Sequence, residues 1–175
     1  MALTGSYDML DDLHIVDFCN DVARFLLVLH QQFPRQVEVY ISDLIGPEEP
    51  DEYGMYSRRH ESCLATALWL KTEGWLRFDN VVRREAVDQC VLTQKAFHQL
   101  HRTLPQALLA ATTADDAAAS TQSTSSPHTR PLPVKPLTAH NLRLIQGLHL
   151  AHRHQRSELI QDLVMHLLAS SQHFA

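Results

Sequence analysis

The chain is short of glycine, of cysteine and of long apolar runs, and each shortage closes off a class of function. Its five glycines stand singly, so the glycine-rich loop that cradles phosphates is missing. Cys19, Cys63 and Cys90 are odd in number and far apart, which suits neither a disulfide framework nor a zinc knuckle and points to a reducing compartment. No apolar run approaches the ~18–20 residues that cross a bilayer. The longest, Phe25-Leu-Leu-Val-Leu29, lies inside an amphipathic pattern, so no membrane partner is expected. The first dozen residues carry Asp8, Asp11 and Asp12 and no base, the wrong sign for a secretory signal or transit peptide; a cytoplasmic location is expected.

Catalytic signatures are missing too. There is no Gly-x-Ser-x-Gly elbow, no His-Glu-x-x-His pair, and no carboxylate pair set for acid–base work. The expectation is therefore no enzyme and no cofactor. His149 and His152 lie one helical turn apart with His140 or His154 near, but no carboxylate or thiol completes a metal site. His60, Cys63 and Cys90 read as packing residues, so no metal centre is expected.

What is present is an uneven charge. Residues 1–56 hold two bases and eleven acids, net −9; residues 57–102 hold eight bases and five acids, net +3; the rest holds five bases and four acids, net +1, for a total of −5. Attraction for a polyanion must come from the middle segment, against an acidic first third.

Residues 8–33 read as a long helix, with Ile15, Phe18, Cys19, Val22, Phe25, Leu26 and Leu29 on one stripe and Pro34 as its limit. Val37-Glu-Val-Tyr-Ile-Ser42 alternates like a half-buried strand, and Ser42 or Asp43 is placed to cap a helical turn before Gly46. Residues 46–56 follow, acidic, with two prolines and two glycines. They read as a solvated insertion, with an acidic partner loop or autoinhibitory flap as the functional alternative. Ser57–Glu73 is helical and stops at Gly74. Trp75–Phe78 and Gln89–Thr93 are strands around a basic loop, and Gln94–Arg102 is a helix capped by Thr93. Residues 112–136 shift to Ala, Ser, Thr and Pro, which predicts a flexible linker. Residues 137–172 turn helical again, one helix or two. Their strong stripe of Leu159, Ile160, Leu163, Val164 and Leu167 must fold back on the first helix, pair with another copy, or seat in a partner.

The phrases Leu68-Trp-Leu-Lys-Thr-Glu-Gly-Trp-Leu76 and Val91-Leu-Thr-Gln-Lys95, in the order helix, glycine, strand, basic loop, strand, helix, resemble the winged-helix branch of the helix-turn-helix proteins. The resemblance covers about a quarter of the chain and departs from the family at residues 46–56, since helix-turn-helix proteins join their two helices through ~3–4 residues. It implies a mainly α fold with a small β-hairpin: a winged-helix domain over 8–104, the linker, and a C-terminal helical assembly segment. It also implies a DNA-binding transcriptional regulator acting as a dimer. Arg58, Arg59, Ser62 and Thr66 would face double-stranded DNA, and Arg83 and Arg84 would hold phosphates from the wing. The alternative is a winged-helix interaction subunit of a larger complex. Trp69 and the stripe of Leu159, Ile160, Leu163, Val164 and Leu167 would then meet a partner protein or a second copy.

Overall fold

The computed structural model describes residues 13–113 and 142–170. They form a mainly helical fold with a small antiparallel sheet of four strands. The expected helical residues 8–12, most of the expected linker (114–136), the helical expectation at 137–141, His140, and residues 171–172 lie outside the described residues.

Helix α1 (Leu13–Gln32) runs through the middle. Its Cys19, Val22, Ala23, Phe25, Leu26, Leu27 and Leu29 are buried, a broader face than one stripe, because neighbours cover it from several directions. Strand β1 (Val37–Tyr40) passes straight into the short α2 (Ile41–Ile45). Tyr40 occupies the cap position of α2 without a side-chain bond, so Ser42 and Asp43 lie inside the turn and neither caps it. The carbonyl end of α2 is instead held by Arg24 of α1, whose Nη1 donates to the Leu44 oxygen at 2.6 Å.

Helix α3 (Arg58–Thr72) starts where the Ser57 hydroxyl accepts from the His60 amide at 3.3 Å. It ends as the glycine suggests: Gly74 takes φ +70°, and the Trp75 and Gly74 amides return to the Leu70 and Lys71 carbonyls. Strands β2 (Leu76–Arg77) and β3 (Val81–Val82) then pair one after the other with the long β4 (Ala86–Leu92), while β1 pairs with its opposite edge. The spatial order is β1-β4-β2, with β3 beside β4. The basic loop between the expected strands is thus itself a two-stranded ribbon, longer and tighter than its glycine-free sequence suggests.

A bulge in β4 decides which residues enter the core. Val37 and Val39 are two apart on β1, yet they face Cys90 and Val87, three apart on β4. Gln89, at φ +53°, takes up the extra residue and points out, which keeps Val87, Cys90 and Leu92 all buried. Helix α4 (Gln94–Leu100) is capped by Thr93, whose hydroxyl accepts from the Ala96 amide and donates to the Gly74 carbonyl at 2.7 Å, tying the ends of α3 and β4 together.

Helix α5 (Gln106–Thr113) continues where the linker was expected to begin, and Thr112 is buried in it. The C-terminal segment is two helices, α6 (Leu144–Arg153) and α7 (Ser157–Ala169). The polar stretch between them is the turn: Gln155 adopts φ +52°, and the Arg156 amide returns to the Ala151 carbonyl at 3.0 Å. Gly147 lets α6 close on its neighbours, since a Cβ there would already touch Leu104 at 3.4 Å and Leu163 at 3.6 Å. One core cluster runs from Cys19 to Leu167, so the C-terminal helices share the core of the first hundred residues.

Candidate functional site

Helix periodicity places α3 with Cys63, Leu64, Ala67 and Leu70 inward. Arg59 and Thr66 sit at the edge of that buried face, on the side of α1, and this corrects the expectation that they stand on an open face. Asp21 of α1, only 1% exposed, holds both guanidinium ends of Arg59: Nη1 donates to Oδ2 at 2.7 Å and Nη2 donates to Oδ1. The bond to Asp21 raises the Arg59 pKa, against the opposing pull of burial. Thr66 is 4% exposed and donates its hydroxyl back to the Ser62 carbonyl at 3.0 Å. Arg58 and Ser62 remain exposed.

The outward side of α3 is apolar as much as polar. Leu68 is 45% and Trp69 38% exposed. Leu70, two residues on from Leu68, is the one turned fully inward. The Trp69 indole stands edge-on to Phe18 of α1, with centroids 5.2 Å apart. Beside the pair lies a groove of about 400 Å³ whose lining includes His14, Asp17, Ala65 and Trp69.

At the tip of the ribbon, Arg83 and Arg84 form the centre of a turn closed by the Glu85 amide on the Val82 carbonyl at 2.8 Å. Both are left-handed, φ +48° and +63°. Such turns favour glycine or asparagine, and an L side chain there costs roughly 1 kcal/mol or more. The structure brings the two arginines to the tip and then separates them: Arg84 is drawn onto Glu61 of α3, while Arg83 points to solvent with no ion pair among the described residues. Lys71 is used over the Phe78 ring, and Lys95 donates to the Glu73 carbonyl at 3.0 Å above Trp75. Of the eight bases in residues 57–102, Arg59 and Arg84 are held in ion pairs and Lys71 and Lys95 are laid against the fold.

Leu159, Ile160, Leu163, Val164 and Leu167 are each 4% exposed or less and take the first of their three outcomes, with α7 folded back against α1. Burial of each is worth roughly 1.5–3 kcal/mol. That stripe offers nothing to a second copy or a partner protein.

Two polar clusters gather histidines noted in the sequence with partners that were not. His60 is 2% exposed beneath the acidic loop, stacked on Tyr56 with ring centroids 4.0 Å apart. The second cluster joins α1, α4 and α6: His30 lies against Phe97 and His101, and His149 and His152 border a cavity of about 330 Å³ with Arg24. Burial, then the neighbouring His101 and His149, lower the His30 pKa; burial, then Arg24 and His149, lower that of His152. The one-turn spacing of His149 and His152 was visible in the sequence, but the approach of His30 and His101, and of Tyr56 to His60, was not. Among the described residues no group of three or more His, Cys, Asp or Glu is placed to hold a metal ion. Burial pushes the Cys63 and Cys90 thiols up to about 12 and that of Cys19 to about 11, Cys63 with help from Asp21. None of the three is a poised thiolate. No helix among the described residues is long and apolar enough to cross a membrane.

Comparisons with protein-family models, with curated proteins and with solved structures each returned no match.

Proposed function

We propose that this chain is a winged-helix protein used as an interaction module, and that the face built from α1 and α3 around Trp69 receives a cationic, apolar segment of a partner protein. The element order α1-β1-α2-α3-β2-ribbon-β4, with β1 and β2 on opposite edges of β4, supports the winged-helix reading. The observation that carries the interaction reading is the state of α3. Arg59 is bound to a buried Asp21 and Thr66 is covered, so of the four expected groove residues only Arg58 and Ser62 stay exposed, beside Ala65, Leu68 and Trp69. Asp17 beside the groove, and the net −9 of residues 1–56, favour a basic partner. A half-exposed tryptophan lining a groove is the type of residue that anchors protein interfaces.

DNA binding is the second reading, favoured by Arg83 and Arg58, which stand free of ion pairs among the described residues. One experiment separates the two. The full chain is titrated at physiological salt against a dye-labelled basic amphipathic peptide and, separately, against double-stranded DNA, following the anisotropy of the labelled peptide and the gel mobility of the DNA. Saturable peptide binding that Trp69→Ala abolishes, with DNA binding weak, supports the module. DNA binding that weakens steeply with salt, and whose salt slope falls when Arg83 and Arg84 become alanine, sinks it.

A further inference from the structure

We propose that the cavity of about 250 Å³ between the acidic loop, α3 and the sheet is a binding site for a small cation that bears N–H groups, a primary ammonium or a guanidinium. The proposal is independent of the docking face. It begins with His60, which lines the cavity and is 2% exposed. Its Nε2 lies 2.8 Å from the Arg84 carbonyl oxygen. A carbonyl only accepts, so Nε2 carries a hydrogen, and a ring with that single hydrogen presents a lone pair at Nδ1. Nδ1 has no hydrogen-bond partner among the described residues. The nearest charged group is Glu48 Oε2 at 3.7 Å, itself an acceptor. In that tautomer a buried acceptor faces a half-buried carboxylate oxygen, an arrangement that a donor between them completes.

The rest of the wall has the same character. Glu85 accepts the Tyr56 hydroxyl at 2.9 Å through Oε1 and has a second oxygen, and Tyr40 and Ser42 add hydroxyls. The surrounding field is negative. The Tyr40 pKa is raised by its bond to Glu38, with Glu85 and Asp43 adding; that of Tyr56 is raised by desolvation, then by Glu85 and Glu48. Of the cations near in sequence, Arg59 is engaged on Asp21 and Arg84 on Glu61, while Arg58 and Arg83 are exposed to solvent. A metal ion is a poor occupant, because no group of three or more metal-binding side chains is gathered among the described residues. An ammonium nitrogen about 2.8 Å from both Nδ1 and Glu48 would sit off the line joining them, as an occupant of the cavity does.

The test uses the full chain at constant ionic strength set with sodium chloride. Methylammonium is the probe, and tetramethylammonium, with the same charge and no N–H, is the control. The ring nitrogens of His60 are followed by ¹⁵N correlation spectroscopy, alongside the thermal midpoint. The expected result is a saturable shift of Nδ1 and a rise in midpoint with methylammonium only. Glu48→Gln, on the surface loop, should raise the half-saturating concentration about tenfold or more, as loss of one charge-assisted bond does. Three outcomes overturn the proposal: no saturable shift, equal responses to the two cations, or a His60 ring carrying hydrogen on both nitrogens before any cation is added. The last would mean that a proton shared with Glu48 completes the pair.

Discussion

Helix α1 is gripped in two different ways. On the α7 side the contact is hydrocarbon: Leu159, Ile160, Leu163, Val164 and Leu167 are buried together in the common core. On the α3 side the seam is mixed, with the Asp21–Arg59 pair inside and Phe18 against Trp69 at the rim. The dry contact is non-directional and worth more per residue; the mixed seam fixes the rotation of α3, because a bidentate carboxylate–guanidinium pair tolerates little misalignment. The same pair removes one cation and one polar helix face from any role at a nucleic acid. The seam that positions α3 also decides what α3 has left to offer.

The largest effect is expected on the dry side: Leu163→Ala should destabilise by about 3–5 kcal/mol, read from the urea midpoint, because a fully buried leucine leaves a cavity there. On the mixed side, Arg59→Ala should cost about 3 kcal/mol and Asp21→Asn about half that, since only the first strands a buried carboxylate. A loss from Arg59→Ala below that from an exposed control such as Arg58→Ala would show that the pair is dispensable and α3 free to turn.

A third test concerns the histidines between α1, α4 and α6. The folded pKa values of His30 and His152 are lowered, so the fold prefers them neutral. Above the ordinary imidazole value of about 6.5 both states are neutral and stability is flat. As pH falls below it the unfolded chain takes up protons first, and stability is lost down through the lowered folded values. Urea midpoints at pH 8 and pH 5 should show the decline, and His30→Gln should reduce it. The smallest effect is expected at the ribbon tip, where Arg83→Gly relieves a left-handed arginine and should stabilise by about 0.5–1 kcal/mol. The thermal midpoint measures it; an unchanged or lower midpoint would mean that Arg83 makes contacts worth more than its strain.

Much of the fold was legible because periodicity and punctuation are local. The stripe of α1, the glycine after α3 and the threonine before α4 each encode their own element. The legible part of the site ended where partners come from afar. Asp21 and Arg59 are 38 residues apart, and nothing in either neighbourhood names the other. The alternation over residues 89–93 already turns Cys90 and Leu92 inward, but the bulge at Gln89 that joins them to Val87 is set by pairing with β1. The stripe of α7 was plain, but its destination was left open three ways, since apolarity fixes that a face will be covered and not by what. The cavity at His60 was hidden for the same reason, being assembled from a loop, a helix and a turn that meet only in three dimensions.

The long separation between α1 and α7 has a consequence for the newborn chain. The helix synthesised early keeps one flank uncovered until α7 has left the ribosome, roughly ten to thirty seconds later at ordinary elongation rates. For that interval the nascent chain presents an oily ridge, and a holding factor at the exit port, or a pause late in translation, would have its greatest influence there.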